Sequence, residues 1–342
     1  MGSEMCIRDR GETDWARPIG AGPMKLVSNT PGDSLVLTKN DSYYDVESVK
    51  VAGYEFTHVP ETQTASGIAA VQAGQLNIAL ADSTQLATLP ANIKPFTLIK
   101  PSATIGMHIC KADAPLSDAR VRQAINKGID RVAISDAVFA GEAEPQTQIW
   151  PPGHRFNSPE LDETLAYDPA EAKQLLAEAG YPNGIAIDMH AVPAFGIDET
   201  AQIIEQELAA VGIDINFIAG GNYLQDFLQA NKRAIGLFPG NSSGTDVLNA
   251  WSGDGVGNVC DYQNPQLDKL LVELRGVSQT DPKAVELWRQ VNELVVDEAL
   301  GGFLIYRPAI VVFNDDEVGG LSLWPIGAYL IPDPMSTYVK AD

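Results

Sequence analysis

The run from Pro115 to Arg131, PLSDARVRQAINKGIDR, constrains this chain more than any other stretch. Ser117 is placed to cap a helix, and Asp118 follows where the positive end of the helix dipole favours an anion. Val121, Ala124, Ile125 and Ile129 then recur at helical spacing and make one face apolar. Arg120 and Arg122 fall off that stripe and read as surface charges. Asp130 is a second cap, opening a helix that carries Val132, Ile134 and Val138 towards Gly141.

The same grammar recurs downstream. Asp168-Pro169-Ala170-Glu171 places an N-cap, a proline at the first helical position and an acid positioned to close a capping box, and Gly180 ends the helix. Asn264-Pro265 and Asp281-Pro282 open two more, the first with Leu267, Leu270, Leu271 and Leu274 inward, the second with Val285, Trp288, Val291 and Val295. Glu199–Val211 is a helix ended by Gly212, and Ile213–Phe217 alternates as a half-buried strand. Leu304–Val312 is a hydrophobic strand. Ahead of Ser117 the pattern is richer in strands. Met24–Ser28, the turn Pro31-Gly32-Asp33 and Ser34–Lys39 read as a hairpin, followed by strands at Val49–Val59, Leu76–Leu80, Phe96–Lys100 and Ile105–Cys110 around a short helix at Thr62–Gln72. The fold class is α/β.

With 342 residues the chain can build two domains with real cores. A net charge of −22, from 45 acidic against 23 basic residues, argues against nucleic acid, whose binding needs Lys and Arg on phosphates. It argues equally against an anionic membrane surface. No apolar run reaches the roughly 18 residues of a membrane-spanning helix. Cys6, Cys110 and Cys260 are too few for a disulfide scaffold and lack zinc-ligand spacing, while a single Cys110–Cys260 bridge is open to a protein outside the cytoplasm. Met1–Arg10 is neither a leader nor periodic, and MCIRDR resembles a translated sequencing adapter. Residues 1–19 are therefore set aside as artefact and linker.

Several motifs, in order, carry a family resemblance. Gly20-Ala21-Gly22-Pro23-Met24-Lys25-Leu26 with Leu35–Asn40, then Gln72–Ala79, Pro115–Arg131, Tyr167–Tyr181 and Tyr262–Asp268 are similar to the extracytoplasmic solute-binding proteins of ABC importers, in the family of the dipeptide- and oligopeptide-binding proteins. Met24 stands where an aromatic is usual, and Asn77 where an Asp is usual. The resemblance implies a periplasmic-binding-protein-like two-lobe fold (class II type, cluster C) whose N-terminal part is missing. On that reading residues 20–107 are part of lobe I, 108–306 are lobe II and 307–342 return into lobe I, with hinge crossings near His108–Lys111 and Tyr306–Asn314. It implies capture of a short peptide or other small polar organic solute, delivery to ABC permease transmembrane subunits, a periplasmic or membrane-anchored extracellular location, a monomer, and no cofactor.

In peptide-binding members an aspartate of lobe II pairs with the peptide amino group. Here Asn241 falls at that place, and an amide cannot neutralise a buried ammonium. Asp246 could take that role if the loop shifts. The Gly, Asn, Ser and Thr around Ser242 bring neutral donors and acceptors suited to a polar solute. Trp150, Tyr223, Trp251 and Tyr306 are the aromatics expected near the cleft, with core packing the competing role for each. Trp288 lies on an apolar helical stripe and reads as core. An enzyme is the alternative of a different class. His58, His108, His154 and His190 form no zinc pair, and no nucleophile elbow or nucleotide cradle is present. The second alternative is a nickel-type metal or metal-chelate binder, for which Met107-His108-Ile109-Cys110 would set His108 and Cys110 on one strand face.

Overall fold

The structure is a computed structural model, and it describes residues 20–58, 64–111, 113–191, 196–219, 235–239, 251–255, 258, 262–326 and 329–340. The chain divides into two compact units, one made of residues 1–96 and 310–342, the other of residues 97–309. The set-aside residues 1–19 lie outside the described residues.

In the first unit, strands β1 (Met24–Thr30), β2 (Ser34–Lys39) and β3 (Gly53–Thr57) form an antiparallel meander. The β1–β2 turn is set by Pro31 and Gly32. Asp33 N–H donates to Thr30 O at 3.0 Å, and Gly32 takes φ +77°, the left-handed value that this turn reserves for glycine. Helix α1 (Thr64–Gln72) and strand β4 (Ile78–Ala81) follow. Ile68, Val71, Ile93 and Val312 close a small core there.

The second unit is larger. The two strands expected at Phe96–Lys100 and Ile105–Cys110 are one, β5 (Ile93–Ile109). Its pairing with β9 (Ile235–Pro239) uses Ile105–Ile109, so Pro101 sits outside that ladder and its missing N–H does not break the strand. Helices α2 (Ala119–Lys127) and α3 (Arg131–Phe139), the short β6 (Glu144–Pro145) and α4 (Pro169–Glu178) lead to β7 (Ile185–Ala191), α5 (Ile197–Val211) and β8 (Ile213–Ala219). β7 and β8 are parallel, as a helical crossover between adjacent strands requires. Helices α6 (Pro265–Arg275) and α7 (Pro282–Asp297) precede β10 (Gly301–Asn314), and the unit's sheet runs β10–β5–β9–β7–β8. In the first unit, Ile310–Phe313 of β10 pairs antiparallel with β4.

The caps follow the sequence grammar with small displacements. Asp118, not Ser117, is the N-cap of α2 and accepts from Arg120 N–H at 2.9 Å. Asp130, Asp168, Asn264 and Asp281 cap their helices as expected. Glu171 does not close a capping box. Asp168 N–H already donates to Lys127 O at 2.8 Å, and Glu171 pairs with the Lys127 ammonium at 2.9 Å instead. Val285 lies on the exposed side of α7, whereas Ala284, Leu287, Trp288, Val291 and Val295 are buried.

The larger departure concerns the signature segment. Arg122 is 2% exposed, not a surface charge. Its guanidinium donates to Leu116 O (2.9 Å), Ser117 O (3.0 Å), Glu298 O (2.6 Å) and Ala299 O (3.3 Å). Asn126, fully buried, donates to Gly301 O at 3.0 Å and to Arg122 O at 3.1 Å, and accepts from Phe303 N–H at 3.3 Å and Arg131 Nη2 at 3.1 Å. Arg131 donates to Phe303 O at 2.7 Å and Gln146 O at 2.8 Å. Buried Lys111 donates to Leu300 O at 3.0 Å. Four polar side chains of Lys111–Arg131 thus bond to the backbone of Glu298–Phe303, where the end of α7 turns into β10. Arg120 alone behaves as expected, pairing with Asp118 at 2.6 Å on the surface.

A cavity on the second unit and its relatives

That clamp holds β10 and β6 together. Gln146 N–H donates to Leu304 O at 2.9 Å, and Glu144 lies opposite Tyr306 in the ladder. Beside this pairing the second unit contains a cavity of about 450 Å³. One wall is the start of α3, with Asp130, Arg131 and Val132. A second is the chain from Glu144 to Gln148, and a third is the loop bearing Trp150, Asp162, Glu163 and Tyr167. Tyr306 comes from β10.

The walls are fixed from behind. Gln146 and Gln148 are buried, and their amides are used within the protein. Gln146 Nε2 donates to Gln148 O at 2.9 Å, and Gln148 Nε2 donates to Ser158 O at 3.0 Å and also to Asp162 Oδ1. Gln148 Oε1 accepts from Ser158 N–H (3.0 Å) and from Asn292 Nδ2 (3.3 Å). The Tyr306 hydroxyl donates to Gln148 O at 3.3 Å, and burial raises its pKa, so it stays protonated. Trp150 stacks on His154 with centroids 4.4 Å apart and planes 6° apart, and meets Trp288 edge-on at 4.9 Å. Burial, with Arg155 nearby, lowers the His154 pKa and keeps that ring neutral in the stack.

The electrostatics are uneven. Burial pulls the Arg131 guanidinium down to about 10, still charged at neutral pH. Burial raises the Glu144 carboxyl. Behind Asp130, Glu207 on α5 accepts from Asp130 N–H at 2.9 Å, and burial, reinforced by the Asp130 charge, pushes Glu207 up to about 7. Val132 is 56% exposed and lines the cavity together with Tyr167.

Of the residues singled out from sequence, Trp150 and Tyr306 come together here. Trp251 does not line the cavity. It is 1% exposed, lies edge-on to Phe303 at 6.2 Å and has the Lys111 ammonium 5.9 Å from its ring. Asn241, Ser242, Asp246 and Tyr223 lie outside the described residues. The His108/Cys110 donor pair is lost to metal binding at this strand. Cys110 is disulfide-bonded, so it offers no thiolate, and its expected partner Cys260 lies outside the described residues. His108 is buried and its pKa falls to about 3, through burial first and Lys111 second. Sequence reasoning missed Glu144, Gln146 and Gln148. Their alternation, polar at every second position into Ile149, was the available signal.

The comparisons with known proteins agree with one another. The family model described as bacterial extracellular solute-binding proteins, family 5 Middle, matches residues 7–252. The chain is 26% identical over 307 residues to heme-binding protein A of Haemophilus influenzae, covering 84% of this chain and 54% of that protein. It is 24% identical over 361 residues to glutathione-binding protein GsiB of Shigella flexneri, covering 100% of this chain and 68% of that one. The chain therefore spans about half the length of the first relative and about two thirds of the second. In fold it superposes on the ABC transporter-associated periplasmic binding protein DppA from Helicobacter pylori, solved with peptide STSA, with a TM-score of 0.75 at 21% identity, over 95% of this chain and 64% of that one. The ordered motifs, the two-unit α/β architecture and a family match over more than half the chain lead to one conclusion: this chain belongs to the bacterial extracellular solute-binding proteins of family 5.

Proposed function

We propose that this chain belongs to the solute-capturing component of an ABC importer, one that takes a short peptide or other small polar organic solute and hands it, as a monomer outside the cytoplasm, to the permease subunits. The family match over residues 7–252 carries this reading. The cavity supports it, because rigid aromatic faces beside hydrogen-bonding groups suit capture of a small organic molecule. The disulfide at Cys110 supports an oxidising compartment. Relatives named for heme, glutathione and peptide show that family membership does not set the ligand.

No chemistry is assigned to the protein. Affinity would come from burial and hydrogen bonds, and the solute would leave as it arrived. Asn241, Ser242, Asp246 and Tyr223 remain the proposed ligand-facing residues of the polar loops, with Trp150 and Tyr306 on the cavity. Native mass spectrometry of the full chain after exposure to a defined mixture of short peptides, amino acids and small amines tests this. A retained solute, released chemically unchanged and raising the melting midpoint, is expected. Failure to retain any solute, or release of a converted one, would overturn the proposal.

A further inference from the structure

The cavity lies within the second unit, and its charge is one-sided. Asp130, Glu144, Asp162 and Glu163 bring carboxylates to its lining against one cation, Arg131. Among the described residues Arg131 forms no ion pair with them, although its charge acts on Asp130. Its guanidinium is buried and donates to Gln146 O, Phe303 O, Asn126 O, Ile129 O and Asn126 Oδ1.

The carboxylates differ in how far the protein already uses them. Asp130 accepts from Val132 N–H and Ala133 N–H at the start of α3, and Asp162 accepts from Gln148. Glu144 is partly buried, and no described group donates a hydrogen bond to its carboxylate or forms an ion pair with it. Its place is nonetheless fixed, because its backbone is paired with Tyr306. Removing a carboxylate from water without a counter-charge is unfavourable, and a ligand cation would relieve that cost. Two further observations point the same way. Trp150, Tyr167 and Tyr306 line the same space, and Tyr167, 47% exposed, offers a ring that attracts cations. The volume, about 450 Å³, is within the usual range for a small-molecule site, roughly 300–1,000 Å³.

We infer that this cavity takes a small organic cation, with the ligand's ammonium or guanidinium group set against Glu144 and its apolar part against Trp150 and Tyr167. This rests on the solute-capture reading and narrows it to the charge of the solute. A ligand whose bound end is a carboxylate would meet like charge from three sides.

Isothermal titration of the full chain with three probes of one shape tests the assignment: tyramine, neutral 4-ethylphenol and anionic 4-hydroxyphenylacetate. Tyramine is expected to bind at least about tenfold more tightly than 4-ethylphenol, and the acid to give no heat of binding. Raising the salt concentration should weaken tyramine and leave 4-ethylphenol unchanged. Glu144→Gln, whose melting midpoint reports that it folds, should lower tyramine affinity by about tenfold without changing 4-ethylphenol. The salt series on the unaltered chain decides the matter should that variant fold poorly. Equal binding of the three probes, preference for the acid, absence of binding by all three, or a salt-independent tyramine affinity overturns the inference. If native mass spectrometry then shows a retained neutral or anionic solute, solute capture stands and the cation assignment alone falls. If no solute is retained and no probe binds, both fall.

Discussion

Replacing Asn126 by leucine removes the centre of the network that holds the start of β10. The side chain is fully buried and makes four hydrogen bonds, donating to Arg122 O and Gly301 O and accepting from Phe303 N–H and Arg131 Nη2. Leucine keeps the branched four-atom side-chain skeleton, so no cavity is left; the loss is of hydrogen bonds, and its bulkier methyl groups add crowding rather than space. Three neutral hydrogen bonds at about 1 kcal/mol each and one to a charged donor at about 2 kcal/mol sum to about 5 kcal/mol. The added apolar burial offsets part of this, leaving about 4 kcal/mol. For a unit of this size that lowers the melting midpoint by roughly 10 °C. Urea denaturation followed by tryptophan fluorescence reads it directly, because Trp150, Trp251 and Trp288 all lie in the second unit. Arg120→Ala, in the same motif but exposed, is the control and should leave the midpoint where it is. A loss below about 1 kcal/mol for Asn126→Leu would show that these carbonyls and donors find other partners, and the clamp argument would fail.

Glu207 makes stability depend on pH. Its folded pKa, about 7, lies above the ordinary 4.5, so the folded state holds the proton more tightly. Stability is therefore greatest below pH 4.5 on this group's account, falls between pH 4.5 and about 7, and is flat above. Discounted for its half-exposed position, the change is about 1–2 kcal/mol. Glu207→Gln should remove that slope and be the more stable form at pH 8, and parallel pH profiles of urea midpoints for the two would contradict this. A Cβ on Gly302 would come within 2.4 Å of Met107 Cε and 2.5 Å of Met107 Cβ, so Gly302→Ala should cost about 1–3 kcal/mol in the same assay. Reduction with dithiothreitol should lower the stability of the second unit by about 2–4 kcal/mol through loss of the Cys110 disulfide, and an unchanged midpoint would count against a structural bridge.

Helix starts were legible because capping is local. Asp130, Asp168, Asn264 and Asp281 each accept from backbone N–H groups two or three residues ahead, so a short window of sequence holds the whole interaction. The turn at Pro31-Gly32 was legible for the same reason. The two halves of β5 were not recognised as one strand, because Pro101 reads as punctuation until its place outside the β9 ladder is known. The cavity was partly legible. Trp150 and Tyr306 stood out as large aromatics, but Glu144 looked like any exposed acid in a chain of net charge −22.

By itself the sequence determined the α/β class, most helix starts and the family, and its acidity argued against nucleic acid. Only the tertiary structure decided which charges face inward. Arg120 and Arg122 are two residues apart and look interchangeable in the motif. One pairs on the surface with Asp118. The other is buried against Glu298, 176 residues away, because the turn from α7 into β10 presents backbone carbonyls to its guanidinium. Burial of a charge depends on which hydrogen-bond acceptors arrive from a distance, and spacing along the chain carries no record of that.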